Sequence, residues 1–146
     1  MPILSLDRIK LQATAADQAD AIRQAGQLLV DSGCVLPEYV EGMLKRELSM
    51  STCPGDYPIA IPHGLPENTD HILATGLSVL QLKQPVSWGE DGMVSLVFGI
   101  AAKGHEHLAV METLTNVIME DAQLEQLLTA TDPGLVLGIL GSPQAI

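Results

Sequence analysis

One histidine of this chain stands in a short segment whose residue types suit nucleophilic chemistry. The segment is Ile59-Ala60-Ile61-Pro62-His63-Gly64, in which an aliphatic run stops at a proline. Pro62 has no backbone N–H, so it predicts that the strand ends there and that His63 lies at the strand end, facing a crevice. Gly64 has no Cβ, which permits a ligand or a partner's backbone to approach closely. A neutral imidazole is a competent nucleophile at phosphorus, so the segment favours a histidine that takes a group from a large donor.

Two further side chains are candidates for holding a phosphoryl group. His107 follows Gly104 at the start of a predicted long helix, where free amides and the helix dipole bind anions. Arg46 lies near the end of the predicted second helix, and a guanidinium grips phosphate through two parallel hydrogen bonds. The plainer interpretation of Arg46 is a solvated charge at a helix end.

Other interpretations of these histidines stay open from the residues alone. His63 also fits an ordinary strand-to-loop turn, since short motifs recur by chance. His63 with His105 and His107 raises the hypothesis of a zinc-dependent hydrolase. Catalytic zinc histidines, however, usually have orienting carboxylates and a matching helical or strand spacing. Because that support is missing from the motif, we expect no metal. The chain also lacks a glycine-rich phosphate loop of the Walker or dinucleotide type, so we expect no cofactor.

Length and charge limit the possible function classes. The 146 residues fit one domain, 1–146, and 47% of them are hydrophobic, which is ample for a core. The formal net charge of −11 argues against nucleic-acid binding and against docking on anionic membrane surfaces. Partners that meet this surface are expected to be neutral or basic locally.

The sequence also predicts where the chain resides. Its first residues lack the basic start and apolar run of a signal peptide, and no apolar run approaches the roughly 20 residues of a membrane span. Cys34 and Cys53 have no CxxC spacing and are expected to be free thiols. We therefore expect a soluble, cytoplasmic protein without direct membrane insertion.

Hydrophobic periodicity predicts an order of one strand, two helices, three strands and three helices. The predicted strands are around residues 9–11, 59–61, 76–82 and 93–102, and the predicted helices around 21–29, 37–47, 107–118, 123–128 and 133–140. This order predicts a three-layer α/β domain, with helices on both faces of a mixed sheet.

The sequence also predicts local details of these elements. Thr14 and Asp17 have the spacing of a capping box before the first helix. Residues 65–70 are expected to form a loop after His63, and residues 85–92 a connection between the last two strands. The inner face of the long helix is predicted to carry Leu108, Met111, Leu114, Thr115 and Ile118.

Several segments together resemble one family. The segments are Ile59-Ala60-Ile61-Pro62-His63-Gly64, Gly33-Cys34-Val35-Leu36-Pro37-Glu38-Tyr39-Val40, Met43-Leu44-Lys45-Arg46-Glu47, Gly99-Ile100-Ala101-Ala102, Glu106-His107-Leu108 and Leu114-Thr115-Asn116. They resemble the mannitol/fructose-class (type 2) enzyme IIA domains of the bacterial phosphoenolpyruvate-dependent sugar phosphotransferase system, with the mannitol branch as the nearest. The resemblance covers nearly the whole chain.

The resemblance implies a sugar-transport phosphotransferase, that is, a phosphoprotein with a phosphohistidine intermediate and no metal or cofactor. The acceptor histidine carries over to His63, the active-site arginine to Arg46 and the second histidine to His107. The implied donor is the histidine-containing phosphocarrier protein, and the implied acceptor is a cysteine of enzyme IIB. An alternative is a regulatory phosphoprotein of the same fold, of the nitrogen-regulatory type, that acts through partner binding.

Overall fold

The computed structural model describes residues 4–49, 58–64, 70–89, 92–103 and 106–140. The predicted loop at 65–70 therefore lies outside the described residues except for Asp70, as do Cys53, Gly104 and His105. Among the described cysteines, Cys34 is a buried free thiol, as predicted.

The strands and helices follow the predicted order. A short 3-10 helix, Leu6–Arg8, precedes them. The elements are β1 (Ile9–Ala13), α1 (Gln18–Asp31), α2 (Glu38–Ser49), β2 (Ile59–Ala60), β3 (Gly76–Ser87), β4 (Met93–Ala101), α3 (Glu106–Ile118), α4 (Asp121–Thr129) and α5 (Pro133–Leu140).

The strands form a mixed sheet in the order β1-β3-β4-β2. β3 and β4 are antiparallel, whereas β1 is parallel to β3 and β2 is parallel to β4. β4 is buried from Leu96 to Ala101, as its nearly unbroken apolar sequence predicts for a central strand covered on both faces.

Two hydrophobic clusters cover the two faces of this sheet. One joins the sheet to α1 and α2, and includes Ile22, Leu29 and Met43. The other joins the sheet to α3, α4 and α5, and includes Leu114, Leu127 and Val136. The structure therefore confirms the predicted three-layer α/β fold. None of the helices in the described part of the chain is long and apolar enough to cross a membrane.

The predicted capping box before α1 is wrong by one turn. The N-cap is Asp17, whose side chain accepts a hydrogen bond from the N–H of Asp20 at 2.9 Å. A short carboxylate is as good an N-cap as a hydroxyl, so Asp17 caps the helix itself rather than supporting Thr14.

The predicted end of β3 is also wrong, because the strand continues through Pro85 to Ser87. Its pairing with β4 shifts between Gln81 and Val86. A proline is tolerated at such an irregularity, where no ladder hydrogen bond is required from its nitrogen.

The predicted inner face of α3 is correct in part. Leu114 and Ile118 are buried and Met111 is partly buried against the same cluster, as predicted. The prediction is wrong for Leu108, which is 69% exposed, and for Thr115, which is exposed, whereas Val110 and Val117 are buried. Val110, Leu114 and Val117 have the i, i+4, i+7 spacing of a stripe that faces the sheet.

Candidate active site

His63 lies beside the carboxyl end of the buried strand β4. β2 pairs in parallel with β4 through Ile59 and Ala60, and the chain then continues along β4. Pro62 donates no hydrogen bond, but its carbonyl accepts one from Ile100 N–H at 3.1 Å, and His63 forms a parallel bridge with Ile100. The regular strand thus ends before the proline, as predicted, while His63 stays in register with the sheet and is half-buried.

The ring of His63 is held by its own backbone. Nδ1 lies 2.9 Å from the carbonyl oxygen of Ile61. A carbonyl oxygen only accepts, so this contact requires that Nδ1 carry the proton. In a neutral ring the lone pair is then on Nε2, which is the form that a nucleophile at phosphorus needs.

Tyr39, in the first turn of α2, ties this segment to β4. Its hydroxyl donates to the carbonyl of Ile100 at 2.8 Å and accepts from the N–H of Gly64 at 2.9 Å. The side chain is only 3% exposed, and burial raises the pKa of Tyr39 while the hydrogen bond from Gly64 opposes that rise. The hydroxyl therefore stays protonated near neutral pH, as its donation to Ile100 requires.

The structure gives Gly64 a role different from the predicted one. A Cβ built on Gly64 would lie 2.5 Å from Cε1 of Tyr39 and 2.9 Å from its Cζ. The missing side chain thus admits an aromatic ring of the same chain, where we had predicted a ligand or a partner's backbone.

Arg46 lies in the last turn of α2 and is half-buried. It follows Tyr39 by seven residues, which is two helical turns, so the two residues share one side of α2 about 10 Å apart along the axis. The next residue, Glu47, is buried and accepts a hydrogen bond at 2.9 Å from Nε1 of the buried Trp88. α2 therefore connects the carboxyl end of β4, through Tyr39, to the β3–β4 connection, through Glu47.

His107 is the second residue of α3, so the predicted helix-start position is confirmed for its backbone. Its side chain lies outside the described part of the structure. α3 begins five residues after β4 ends, and β4 ends one residue beyond the partner of His63. The topology thus brings the start of α3 and His63 to the same end of the sheet.

A metal hypothesis gains no support from the part of the chain that the structure describes. Within it, no three His, Cys, Asp or Glu residues are grouped so that they could hold a metal ion. His105 and the side chain of His107 fall outside that search.

The sequence did not predict a role for Tyr39, which stands within one of the segments that resemble the family. Nothing in the spacing links it to Gly64, which follows 25 residues later. The available signal was its rarity: the chain has only two tyrosines, and this one stands in the first turn of an amphipathic helix.

Comparison with known proteins identifies the family of this sequence. Residues 2–142 match the family described as phosphoenolpyruvate-dependent sugar phosphotransferase system, EIIA 2. The mannitol-specific phosphotransferase enzyme IIA component of Halalkalibacterium halodurans is 42% identical over 140 residues, covering 95% of this chain and 94% of that protein.

A solved structure and a larger protein extend the comparison. The complex of enzyme IIAMTL and phosphorylated enzyme IIBMTL from Escherichia coli contains a chain with a TM-score of 0.87 and 40% identity, covering 95% of this chain and 97% of that one. A multiphosphoryl transfer protein of Xanthomonas campestris is 42% identical over 139 residues, or 95% of this chain. The chain spans only 16% of that protein's length.

Proposed function

Because the chain belongs to the EIIA type 2 family of the phosphoenolpyruvate-dependent sugar phosphotransferase system, we propose that it is a phosphocarrier whose acceptor is Nε2 of His63. The observation that carries the proposal is the 2.9 Å contact between Nδ1 of His63 and the Ile61 carbonyl. It favours the tautomer in which Nε2 carries a lone pair and no proton, at a half-buried position where the phosphate of a donor protein can approach.

The donor that we propose is the histidine-containing phosphocarrier protein. Its nitrogen–phosphorus bond breaks as the lone pair of Nε2 forms a new bond to phosphorus, and the donor imidazole keeps the electron pair. The ring of His63 gains positive charge in this step, which strengthens the hydrogen bond from Nδ1–H to the Ile61 carbonyl. Phosphoryl transfer requires little from the protein beyond such alignment and charge stabilisation.

Charge stabilisation falls to Arg46 and His107 in this proposal. Arg46 provides paired hydrogen bonds to the phosphoryl oxygens, and the first turn of α3 provides an N–H of His107 together with helix amides. No metal or nucleotide takes part, because the phosphoryl group arrives already activated on the donor.

The acceptor that we propose is a cysteine of enzyme IIB in a mannitol transporter. The sulfur of that cysteine attacks phosphorus, the bond to Nε2 breaks, and the ring of His63 returns to its neutral form. The likeness to an enzyme IIA in complex with phosphorylated enzyme IIB supports this partner, and the mannitol-specific relative supports the sugar. The net charge of −11 favours partners whose docking surfaces are neutral or basic.

Phosphate labelling tests the proposal. The chain is incubated with phosphoenolpyruvate, enzyme I and the histidine-containing phosphocarrier protein, and should gain one acid-labile phosphate that His63→Ala does not gain. Labelling that persists in His63→Ala would overturn the assignment. A donor phosphorylated beforehand and freed of metal should transfer at an unchanged rate with a chelator present; a collapse that zinc reverses would support the hydrolase hypothesis instead.

The same labelled chain distinguishes transport from regulation. Rapid loss of label to a mannitol-type enzyme IIB is the expected result for a transport phosphocarrier. A label that stays on His63 in the presence of enzyme IIB would favour the nitrogen-regulatory alternative.

A further inference from the structure

We propose that Tyr39 is a positioning residue for phosphoryl transfer, acting through the peptide that follows His63. The inference rests on the proposed function of His63. Two hydrogen bonds and one close packing contact carry it. One hydrogen bond and the packing contact reach Gly64, and the other hydrogen bond reaches Ile100, the residue of β4 that pairs with His63.

The first argument is the hydrogen-bond geometry. One hydroxyl joins the N–H of Gly64, at 2.9 Å, to the carbonyl of Ile100, at 2.8 Å. Ile100 is also the residue that pairs with His63 in the sheet. His63 is thus held through Pro62 on one side and through Gly64 on the other, both against the same residue of β4.

The second argument is burial. Tyr39 is 3% exposed, so its hydroxyl is not a group on which a partner protein docks. A buried polar group that loses its partner is costly, so the hydroxyl restrains both backbone groups strongly. Loss of the hydroxyl should therefore alter the rate of the chemical step and leave donor affinity unchanged.

The third argument is the packing of Gly64. The Tyr39 ring occupies the space of a Cβ at this position, since Cε1 would lie 2.5 Å from it. Any other residue at position 64 would displace either the ring or the backbone next to His63. Glycine and tyrosine thus form a matched pair 25 residues apart, and the pair fixes the direction in which the His63 peptide leaves the sheet.

Tyr39→Phe tests the inference, because it keeps the ring and removes both hydrogen bonds. Ser78→Ala is the matched control: Ser78 is another buried hydroxyl, donating to the Ala25 carbonyl at 2.8 Å, without a contact to the His63 segment. Tyr39→Phe should lower kcat for transfer from the phosphorylated donor by about 10- to 100-fold, the range of a small misplacement of reacting groups. KM for the donor should stay unchanged, and Ser78→Ala should transfer at the wild-type rate.

A spectroscopic measurement separates failure of this inference from failure of the proposed function. Nitrogen-15 NMR of the unphosphorylated chain reports the His63 tautomer without any transfer. Tyr39→Phe should shift its Nδ1 and Nε2 resonances toward a mixture of tautomers, and Ser78→Ala should leave them unchanged. If Tyr39→Phe does not fold, Gly64→Ala provides a second test, because its Cβ displaces either the Tyr39 ring or the backbone next to His63 and so separates the hydroxyl from the Gly64 N–H.

Two results would overturn the positioning role of Tyr39. A wild-type kcat and an unchanged His63 spectrum in Tyr39→Phe would overturn the positioning role. Equal losses in Tyr39→Phe and Ser78→Ala would also overturn it, because the effect would then be one of general stability. A wild-type chain that gains no phosphate would refute the proposed function and, with it, a role of Tyr39 in transfer, whereas an altered tautomer in Tyr39→Phe would still show that Tyr39 orients the His63 ring.

Discussion

Tyr39 and Gln81 are both buried polar side chains that hydrogen-bond to the backbone of other segments, but they lie on opposite faces of the sheet. Tyr39 is packed with α1 and α2, and binds Gly64 and Ile100 beside His63. Gln81 pairs with Leu96, four residues along β4 from Ile100, which is a distance of about 13 Å.

Gln81 connects elements of the fold, whereas Tyr39 connects the segment that contains His63 to β4. Its Nε2 donates to the carbonyls of Leu127 and Ala130, both at 2.9 Å, at the end of α4. Its Oε1 accepts from the backbone and side-chain nitrogens of Gln12, both at 3.1 Å. Gln12 has a φ of 56°, a strained value for a non-glycine residue, at an irregularity of β1. The same kind of hydrogen bonding therefore stabilises a helix end in one place and, in the other, holds the backbone next to His63, the proposed nucleophile.

Among the substitutions near His63, His107→Ala should slow phosphoryl transfer the most. The dipole of α3 disfavours a positive imidazole in its first turn, so the role that we propose for His107 is that of a neutral ring that donates one N–H to a phosphoryl oxygen. Charge on that oxygen grows during transfer, so the rate should fall by about 10- to 1000-fold, as for loss of one oxyanion donor. Rapid-quench kinetics measure this, and His107→Gln should recover part of the rate.

Two other results would change the role of His107. Normal transfer by the alanine variant would make it a helix-start residue without chemistry. Failure to gain phosphate even on long incubation would indicate that His107 itself carries the phosphate.

Gln81→Leu should separate stability from transfer. The substitution leaves the buried carbonyls of Leu127 and Ala130 without their partner, so the free energy of unfolding should fall by about 2–6 kcal/mol, at roughly 1–3 kcal/mol for each of these two groups. Gln12 is exposed, so water replaces its hydrogen bonds to Gln81. Transfer at a temperature where the variant is folded should match wild type. Denaturant unfolding and the labelling assay measure the two quantities. A transfer defect as large as that of Tyr39→Phe would remove the distinction between the two anchors.

Arg46→Lys should slow transfer by about 10- to 150-fold while the fold persists, at about 1.4 kcal/mol for each factor of ten. Lysine keeps the charge but loses one of the two parallel hydrogen bonds, and a charge-assisted hydrogen bond contributes about 1.5–3 kcal/mol. Arg46→Ala should be slower still. Wild-type rates in both variants would show that Arg46 is only a surface charge.

The smallest expected effect concerns alkaline stability. Burial raises the pKa of Tyr39 in the folded chain, so the unfolded chain loses this proton first as the pH rises. The stabilisation by the buried, protonated Tyr39 hydroxyl is complete below the ordinary tyrosine pKa of about 10. Above that pH it is lost, by up to about 1.4 kcal/mol per pH unit. Denaturant unfolding between about pH 9 and 11, which brackets that pKa of about 10, should show a free energy of unfolding that falls more steeply with pH for wild type than for Tyr39→Phe. Parallel curves would contradict the assignment.

Much of this architecture could be predicted from the sequence because periodic patterns report which residues are buried. The apolar run of β4 correctly predicted a buried central strand. The face of α3 was predicted correctly at Leu114 and Ile118 but wrongly at Leu108, which is apolar yet 69% exposed, because hydrophobicity alone does not say which of two adjacent stripes faces the sheet. The extension of β3 through Pro85 depended on an irregularity of pairing that no local pattern reveals.

The same limit applies to the candidate site, where local patterns predict neighbours in sequence but not contacts between distant residues. His63 was predicted from a contiguous segment, since its neighbours Pro62 and Gly64 are adjacent in sequence. Tyr39 was not, because its contacts with Gly64 and Ile100 join residues 25 and 61 positions apart. Only the fold brings such residues together, and hydrogen bonds of that range leave no periodic trace in the sequence.

The most direct test is nitrogen–phosphorus coupling in the phosphorylated chain labelled with nitrogen-15 histidine. We expect a single phosphoryl group bonded to Nε2 of His63, with Nδ1 still protonated and hydrogen-bonded to the Ile61 carbonyl. Coupling to Nδ1 of His63, or to a nitrogen of any other histidine, would contradict the assignment of Nε2 of His63 as the acceptor.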